Sequence, residues 1–311
     1  MNVSYRFFAE LSAIRQAGFD LPNDGSVFII QGNDERLDKV KQILGSEWRN
    51  YCFAEMEFTE EERSSAPYLS IRASKNLGYL QPEDRYEEVE EEGLAEYPYP
   101  FDVYPYFKDV YELAGKSDTF GMLRGKQIGS FKLQGEPRWG KAMIGSTFQA
   151  GDVFFTTFEV YNTIFKPLGI ACREVLAYGN LAPLKTIVQI IPQGISKSKL
   201  IINEEYLLEK FFIKEWNLTK YVLSGDNVPL FEARPSGYDF FISQEYFGDG
   251  GVNENEVFIS QKLYQILKKN KIKGLNYIPF NVKEEKEIAK KHQEEKRKNA
   301  RPGTTWSLLD D

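Results

Sequence analysis

Two stretches of the C-terminal half share one pattern of apolar and polar positions. The first spans residues 153–178. It reads Phe154-Phe155-Thr156-Thr157, then Phe158-Glu159-Val160-Tyr161, then Ile164 and Gly169. The second spans residues 256–280 and reads Val257-Phe258-Ile259-Ser260, then Gln261-Lys262-Leu263-Tyr264, then Leu267 and Ile272-Lys273-Gly274. In each, a short apolar run predicts a strand, and a hydroxyl residue, Thr157 or Ser260, stands where a helix N-cap belongs. Val160, Tyr161 and Ile164, and likewise Leu263, Tyr264 and Leu267, then fall on one helix face. A glycine ends each helix, and second strands are predicted over 173–178 and 275–280. The expected fold class is α+β, with mixed sheets and this duplicated strand–helix–strand unit.

The N-terminal part predicts a smaller α+β domain over residues 1–95. Val27 to Ile30 reads as a strand. Asp34 is placed to cap a helix carrying Leu37, Val40 and Leu44 on one face. Cys52, Ala54, Met56 and Phe58 alternate with Glu55 and Glu57, the period of a half-buried strand, although Phe53 breaks it. Tyr68 to Ile71 reads as another. Residues 96–311 form the expected C-terminal domain. Within it, Asn203 with Glu204 and Glu205 predicts a helix carrying Tyr206, Leu207, Phe211 and Trp216. Tyr238 to Ile242 reads as a strand, and a charged tail starts at about residue 283.

Between the two parts the composition shifts. Residues 83–96 hold eight acids and one base, Arg85. They are followed by Tyr97, Tyr99, Tyr104 and Tyr106 interleaved with prolines, which remove donors and favour extended backbone. A solvated acidic face and tyrosines packed on their own domain are the bland expectation. The functional one is a recognition segment in which Glu87, Glu88, Glu91 and Glu92 steer a partner and Tyr97, Tyr99, Tyr104 and Tyr106 contact it. Asp249, in a turn-prone Gly/Asp run, joins this candidate partner-binding set.

Composition narrows the chemistry. The 311 residues carry 39 Lys and Arg against 46 Asp and Glu, a formal charge of −7. That disfavours nucleic acid as a partner and suits a basic protein. The two cysteines, Cys52 and Cys172, make no metal pair and no disulfide framework. The one histidine, His292, lies in the charged tail, which disfavours Ser-His or Cys-His catalysis. Gly121 to Gln127 has three residues between its glycines and Gln127 after its lysine, so it fails as a phosphate loop and reads as a turn. A calcium loop starting at Asp249 fails at Glu254 and Ser260. No catalytic residue, cofactor or metal is expected. Residues 1–19 lack the apolar run of a signal peptide, and no apolar window is long enough to span a membrane. A cytoplasmic protein without a membrane partner is therefore expected.

Three segments, residues 131–140 with Glu136-Pro137-Arg138-Trp139-Gly140, residues 165–173 with Lys166-Pro167-Leu168-Gly169, and residues 257–274, carry a resemblance. Together they resemble bacterial proteins of the double-CxxCG-motif type, found among immunity proteins of polymorphic toxin systems, over roughly residues 68–280. A CxxCG element would fall on Ser117 to Gly121, where neither cysteine stands, so the zinc element is lost or replaced. The resemblance implies an immunity protein that binds and neutralises a cognate toxin domain by stoichiometric protein–protein interaction, and no enzyme. Two alternatives stand beside it: a carboxylate- and tyrosine-based enzyme acting on nucleotides or glycans, and a structural adaptor on a degenerate zinc-ribbon scaffold.

Overall fold

The computed structural model describes residues 2–8, 11–20, 27–83, 104–117, 121–204, 207–214, 217–225, 230–235, 237–248 and 254–283. Among them, strands outweigh helices, 45% to 23%, in several sheets with one half-barrel. The α+β expectation is therefore corrected: the fold is β-rich. Ladder pairing claims segments that a helical period seemed to describe. Leu207 to Ile213, expected as a helix, is a strand, because its backbone groups pair with residues 218–223 across a hairpin. Gly121 to Gln127, read as a turn, is likewise a strand. Tertiary pairing overrides local propensity at both places.

Strands β1 (Asn2–Phe7), β2 (Phe28–Gln31) and β3 (Cys52–Glu57) form an antiparallel sheet in the order β2-β1-β3. The helix Arg36–Leu44 packs on it through Leu37 and Val40, and the Asp34 carboxylate accepts from the Arg36 N–H at 3.0 Å near its start. Strand β4 (Tyr68–Ala73) follows, then the hairpin of β5 (Tyr111–Ser117) and β6 (Gly121–Gln127). Next come β7 (Lys132–Leu133), β8 (Ile144–Thr147), β9 (Ala150–Thr157), β10 (Cys172–Ala177) and β11 (Pro183–Ile190), which make a sheet in the order β7-β10-β11-β9-β8. The short β12 (Leu200–Ile201) pairs with β15 (Leu230–Phe231). The remaining strands are β13 (Leu207–Ile213), β14 (Leu218–Leu223), β16 (Phe240–Phe247), β17 (Glu254–Ser260) and β18 (Leu275–Phe280). With β4 they build a six-stranded sheet, β13-β14-β16-β17-β4-β18.

The two matched stretches both run strand, helical segment, strand, but the first segment is one α turn (Phe158–Val160) continued by π and 3-10 turns to Leu168, whereas the second is a nine-residue α-helix (Gln261–Lys269). Thr157 Oγ1 accepts from the Val160 N–H at 3.3 Å, and Ser260 Oγ from the Leu263 N–H at 3.1 Å, so each hydroxyl caps its helix. Gly169 closes the first helix in the left-handed region at φ 70°, where glycine is unstrained. The pairing adds something the pattern does not show. β9 and β10 do not touch; β11 lies between them, antiparallel to both. β17 and β18 are also separated, by β4. Each unit is thus a split crossover with one inserted strand. In one unit that strand comes from just downstream, in the other from nearly two hundred residues upstream. β4, on the N-terminal side of residue 95, is paired on both edges by C-terminal strands.

One core joins the two units. Phe154, Ile164 and Phe165 of the first, with Ile144 of β8, pack with Val257, Ile259, Leu263 and Leu267 of the second, and with Leu69 and Ile71 of β4. The contact is tightest at Gly274 (φ 114°), which lies against the Ile144 carbonyl. There the Met143 and Ile144 N–H groups donate to the Lys273 carbonyl at 2.8 and 3.2 Å, and the Ser74 N–H to the Gly274 carbonyl at 2.9 Å.

Candidate functional site

A cleft of about 650 Å³ opens where the N-terminal sheet meets the two units. Phe53 and Cys52 of β3 form one wall, Val222 to Gly225 another, and β9 and β17 run along the base. The Ala54 N–H donates to the Ser224 carbonyl at 2.9 Å and ties the first two walls together.

Three carboxylates reach this cleft: Asp152 from β9, and Glu254 and Glu256 from β17. The last two are two residues apart on a strand and so share a face. β9 and β17 exchange contacts reciprocally. The Gly151 N–H donates to Glu254 Oε1 at 2.9 Å, and the Asn255 N–H donates to Asp152 Oδ2 at 3.2 Å. Asp152 Oδ2 also bonds the Arg124 guanidinium, which β6 brings across; the two side chains are 7% and 9% exposed. That guanidinium lies 5.1 Å from the ring centre of Phe107 and 5.3 Å from that of Tyr111. Asp152 Oδ1 is buried without a hydrogen-bond partner. Glu256 accepts from the Ser70 hydroxyl and lies 4.0 Å from Arg72.

Burial shapes the protonation of this group. It disfavours charge on Arg124, but the adjoining Asp152 carboxylate outweighs it and carries the arginine above its ordinary value. Glu254 is pushed up to about 7, first by burial, then by the Asp152 charge, with Arg124 opposing. Tyr111 is pushed up to about 12 by burial. The cluster therefore combines one fixed ion pair with one carboxyl that exchanges its proton near neutrality. Burial pushes the Cys52 thiol up to about 12, which makes it a poor nucleophile. Both cysteines are free. Among the described residues no group of three or more His, Cys, Asp and Glu is arranged to hold a metal ion.

Glu254 has a stability signature. Its carboxyl is neutral in both states in acid. As pH rises from about 4.5 to about 7 the unfolded chain releases this proton while the folded chain keeps it, so the group's contribution to stability falls through that window. Glu254→Gln keeps an acceptor for the Gly151 N–H and abolishes the titration. Urea midpoints of the variant should lack this decline and exceed those of the parent above about pH 7. Parallel midpoint curves for the two proteins would contradict the assignment.

The residues expected to bind a partner are distributed as follows. Glu87, Glu88, Glu91, Glu92, Tyr97, Tyr99 and Asp249 lie outside the described residues. Tyr106 is buried, and the partly buried Tyr104 packs beside it, ring centres 6.1 Å apart, over Phe107 and Phe131. These two tyrosines do what self-packing predicts. Ser117 pairs with Gly121 at the end of the β5–β6 hairpin, and residues 118–120 of the CxxCG slot lie outside the described residues.

A second feature borders the cleft. The β8–β9 turn lies between Ser146 and Gly151, which both line it, and this turn lifts Phe148 into solvent. Phe148 is 69% exposed and stacks at 5.2 Å on Tyr79, itself 54% exposed. The backbone beneath is fixed. The Leu77 N–H donates to the Ser146 carbonyl at 2.9 Å, the Leu80 N–H to Gln149 Oε1 at 3.0 Å, and Leu80 is fully buried. Sequence reasoning missed Asp152, Glu254, Tyr79 and Phe148. The signal available was an acid inside an apolar strand at Asp152, and an aromatic in a Thr147-Phe148-Gln149 turn.

No helix among the described residues is long and apolar enough to cross a membrane. No family model matches this chain, and no curated protein or solved structure matches it.

Proposed function

We propose that this chain is a cytoplasmic immunity protein, which binds a cognate bacterial toxin domain and neutralises it by stoichiometric association. The single observation that carries a binding role is the Tyr79–Phe148 pair. Tyr79 and Phe148 are two large rings that stay mostly in solvent while stacked on each other. They are also the residue types that anchor interfaces, since they bring much area with little rotamer entropy. Here they stand on backbone already fixed to the β8–β9 hairpin, so little ordering is lost on association. The charges nearby are mixed: Glu83 and Glu136 share a shallow depression with Tyr79, Lys75 and Arg138, and the adjoining cleft holds Asp152, Glu254 and Glu256 with Arg49 and Arg72. In sequence, Glu83 leads directly into Glu87, Glu88, Glu91 and Glu92. An exposed aromatic anchor on a chain of formal charge −7 fits a basic protein surface, and that charge would speed the encounter. The toxin assignment itself rests on the resemblance of residues 131–140, 165–173 and 257–274.

The experiment is co-expression with the product of the neighbouring gene, with Tyr79→Ala/Phe148→Ala as the comparison. The parent should co-purify with that product. The double variant should lose on the order of 2 kcal/mol of binding, about thirtyfold in affinity. Its urea midpoint should not fall, because both rings are exposed. Undiminished affinity in the double variant would place the contact on another face.

A further inference from the structure

A second cleft, of about 870 Å³, lies between the helix Glu60–Ser65, the end of the helix Gln261–Lys269 and β18. This is the size of a pocket for a small organic ligand. Its floor is apolar, with Met56, Phe58, Ile272 and Ile278, and Tyr264 and Tyr277 stand edge to face at 4.9 Å. Its rim is cationic. Arg63, Arg72, Lys268, Lys271 and Lys273 face Glu57 and Glu60, a local excess of 5 − 2 = 3 positive charges on a chain that is negative overall.

Some of that charge has a structural explanation. Lys268 bonds Glu60, and with Lys269 it complements the C-terminal end of its helix. Arg63 Nε donates to the Tyr277 carbonyl at 3.3 Å. Arg72 lies 4.0 Å from Glu256. Lys271 and Lys273 have none: they lie past the last helical turn, and among the described residues neither has a carboxylate within ion-pair distance. Lys271 also stands at φ 55°, in the left-handed region where glycine is unstrained. The turn is closed by backbone bonds, Lys271 N–H to the Lys268 carbonyl at 2.9 Å and Ile272 N–H to the Leu267 carbonyl at 3.0 Å. Among the described residues the Lys271 side chain makes no hydrogen bond or ion pair that would offset the strain.

We infer that this cleft binds an organic phosphate of the nucleotide type, its phosphates against Lys271, Lys273 and Arg63 and its ring system on the apolar floor. Lysine and arginine donors suit phosphate oxygens, which accept several charge-assisted hydrogen bonds at once. An open cleft with an aromatic wall and its cations gathered on one rim favours a ring-bearing anion over an extended acidic peptide, whose carboxylates are spread along a chain. The inference is independent of the toxin-binding reading, and its test uses the purified chain alone.

The test is calorimetric titration at low salt with ATP, pyrophosphate, adenosine and poly-glutamate. ATP should bind, pyrophosphate should compete with it, and adenosine should bind far more weakly. Lys271→Gly should lower ATP affinity about tenfold, by removing one charge-assisted contact. It should leave the melting temperature unchanged or higher, because it relieves the backbone. Lys271→Glu/Lys273→Glu should abolish binding. Three outcomes would each overturn the inference: no heat with millimolar ATP, ATP affinity unchanged in both variants, or poly-glutamate binding where ATP does not.

Discussion

Replacing Arg124 with methionine should remove on the order of 3–5 kcal/mol of folding stability, the cost of leaving one member of a buried ion pair alone. Methionine fills much of the same volume over Phe107 and Tyr111, so lost packing is the smaller part. The larger part falls on Asp152. Its Oδ2 would keep only the Asn255 N–H, its Oδ1 already has no partner, and Glu254 lies beside it. The pair is not a net source of stability, because bringing both charges out of water offsets most of their attraction. Arg124→Met/Asp152→Asn should therefore recover most of what the single variant loses. Guanidinium unfolding of the two variants and the parent measures this. A double variant as unstable as the single one would show that packing, not charge, is at stake.

Gly274→Ala should cost at least about 3 kcal/mol, the sum of a left-handed backbone penalty and a collision. A Cβ there would stand 1.9 Å from the Ile144 carbonyl oxygen, with φ at 114°. Backbone carbonyls cannot rotate away as a side chain can, so β8 and the turn before β18 must separate. Those two segments join the first unit to the second, and hydrogen exchange at the Met143, Ile144 and Ser74 amides should report the opening. Gly169→Ala is the internal control. At Gly169 φ is 70° and nothing lies within 4 Å of the added carbon, so only the backbone penalty of about 1–2 kcal/mol applies. Equal losses at the two glycines would remove the argument for a joint at Gly274.

The parts of this fold that were legible in the sequence are local ones. Thr157 and Ser260 were readable as caps because a hydroxyl between an apolar strand and a helical period has few other uses. Val160, Ile164, Leu263, Tyr264 and Leu267 were readable as a buried face because helix period alone places them. The insertion of β11 and β4 was not readable. Nothing in Leu69 or Ile71 states that their strand pairs with residues nearly two hundred positions downstream. Leu207 and Phe211 have a helical spacing, and only the partner strand β14 decides against it. The charged cluster at the cleft has the same character. Arg124, Asp152 and Glu254 become a cluster only when a hairpin, one sheet and the other sheet meet, and of the three only Asp152, an acid inside an apolar strand, carries a local signal. The acidic and tyrosine-rich run drew attention by density, yet its two described tyrosines, Tyr104 and Tyr106, serve the core.

The central claim is that the chain protects by occupying a toxin, one molecule to one. The measurement is residual activity of the purified partner against added chain, followed by mass analysis of partner and target. The account predicts a linear fall to an end point at one equivalent, unmodified masses, and recovery of activity when the complex is dissociated. Protection at far below one equivalent, with a chemically altered toxin or a repaired target, would show that the chain acts as an enzyme.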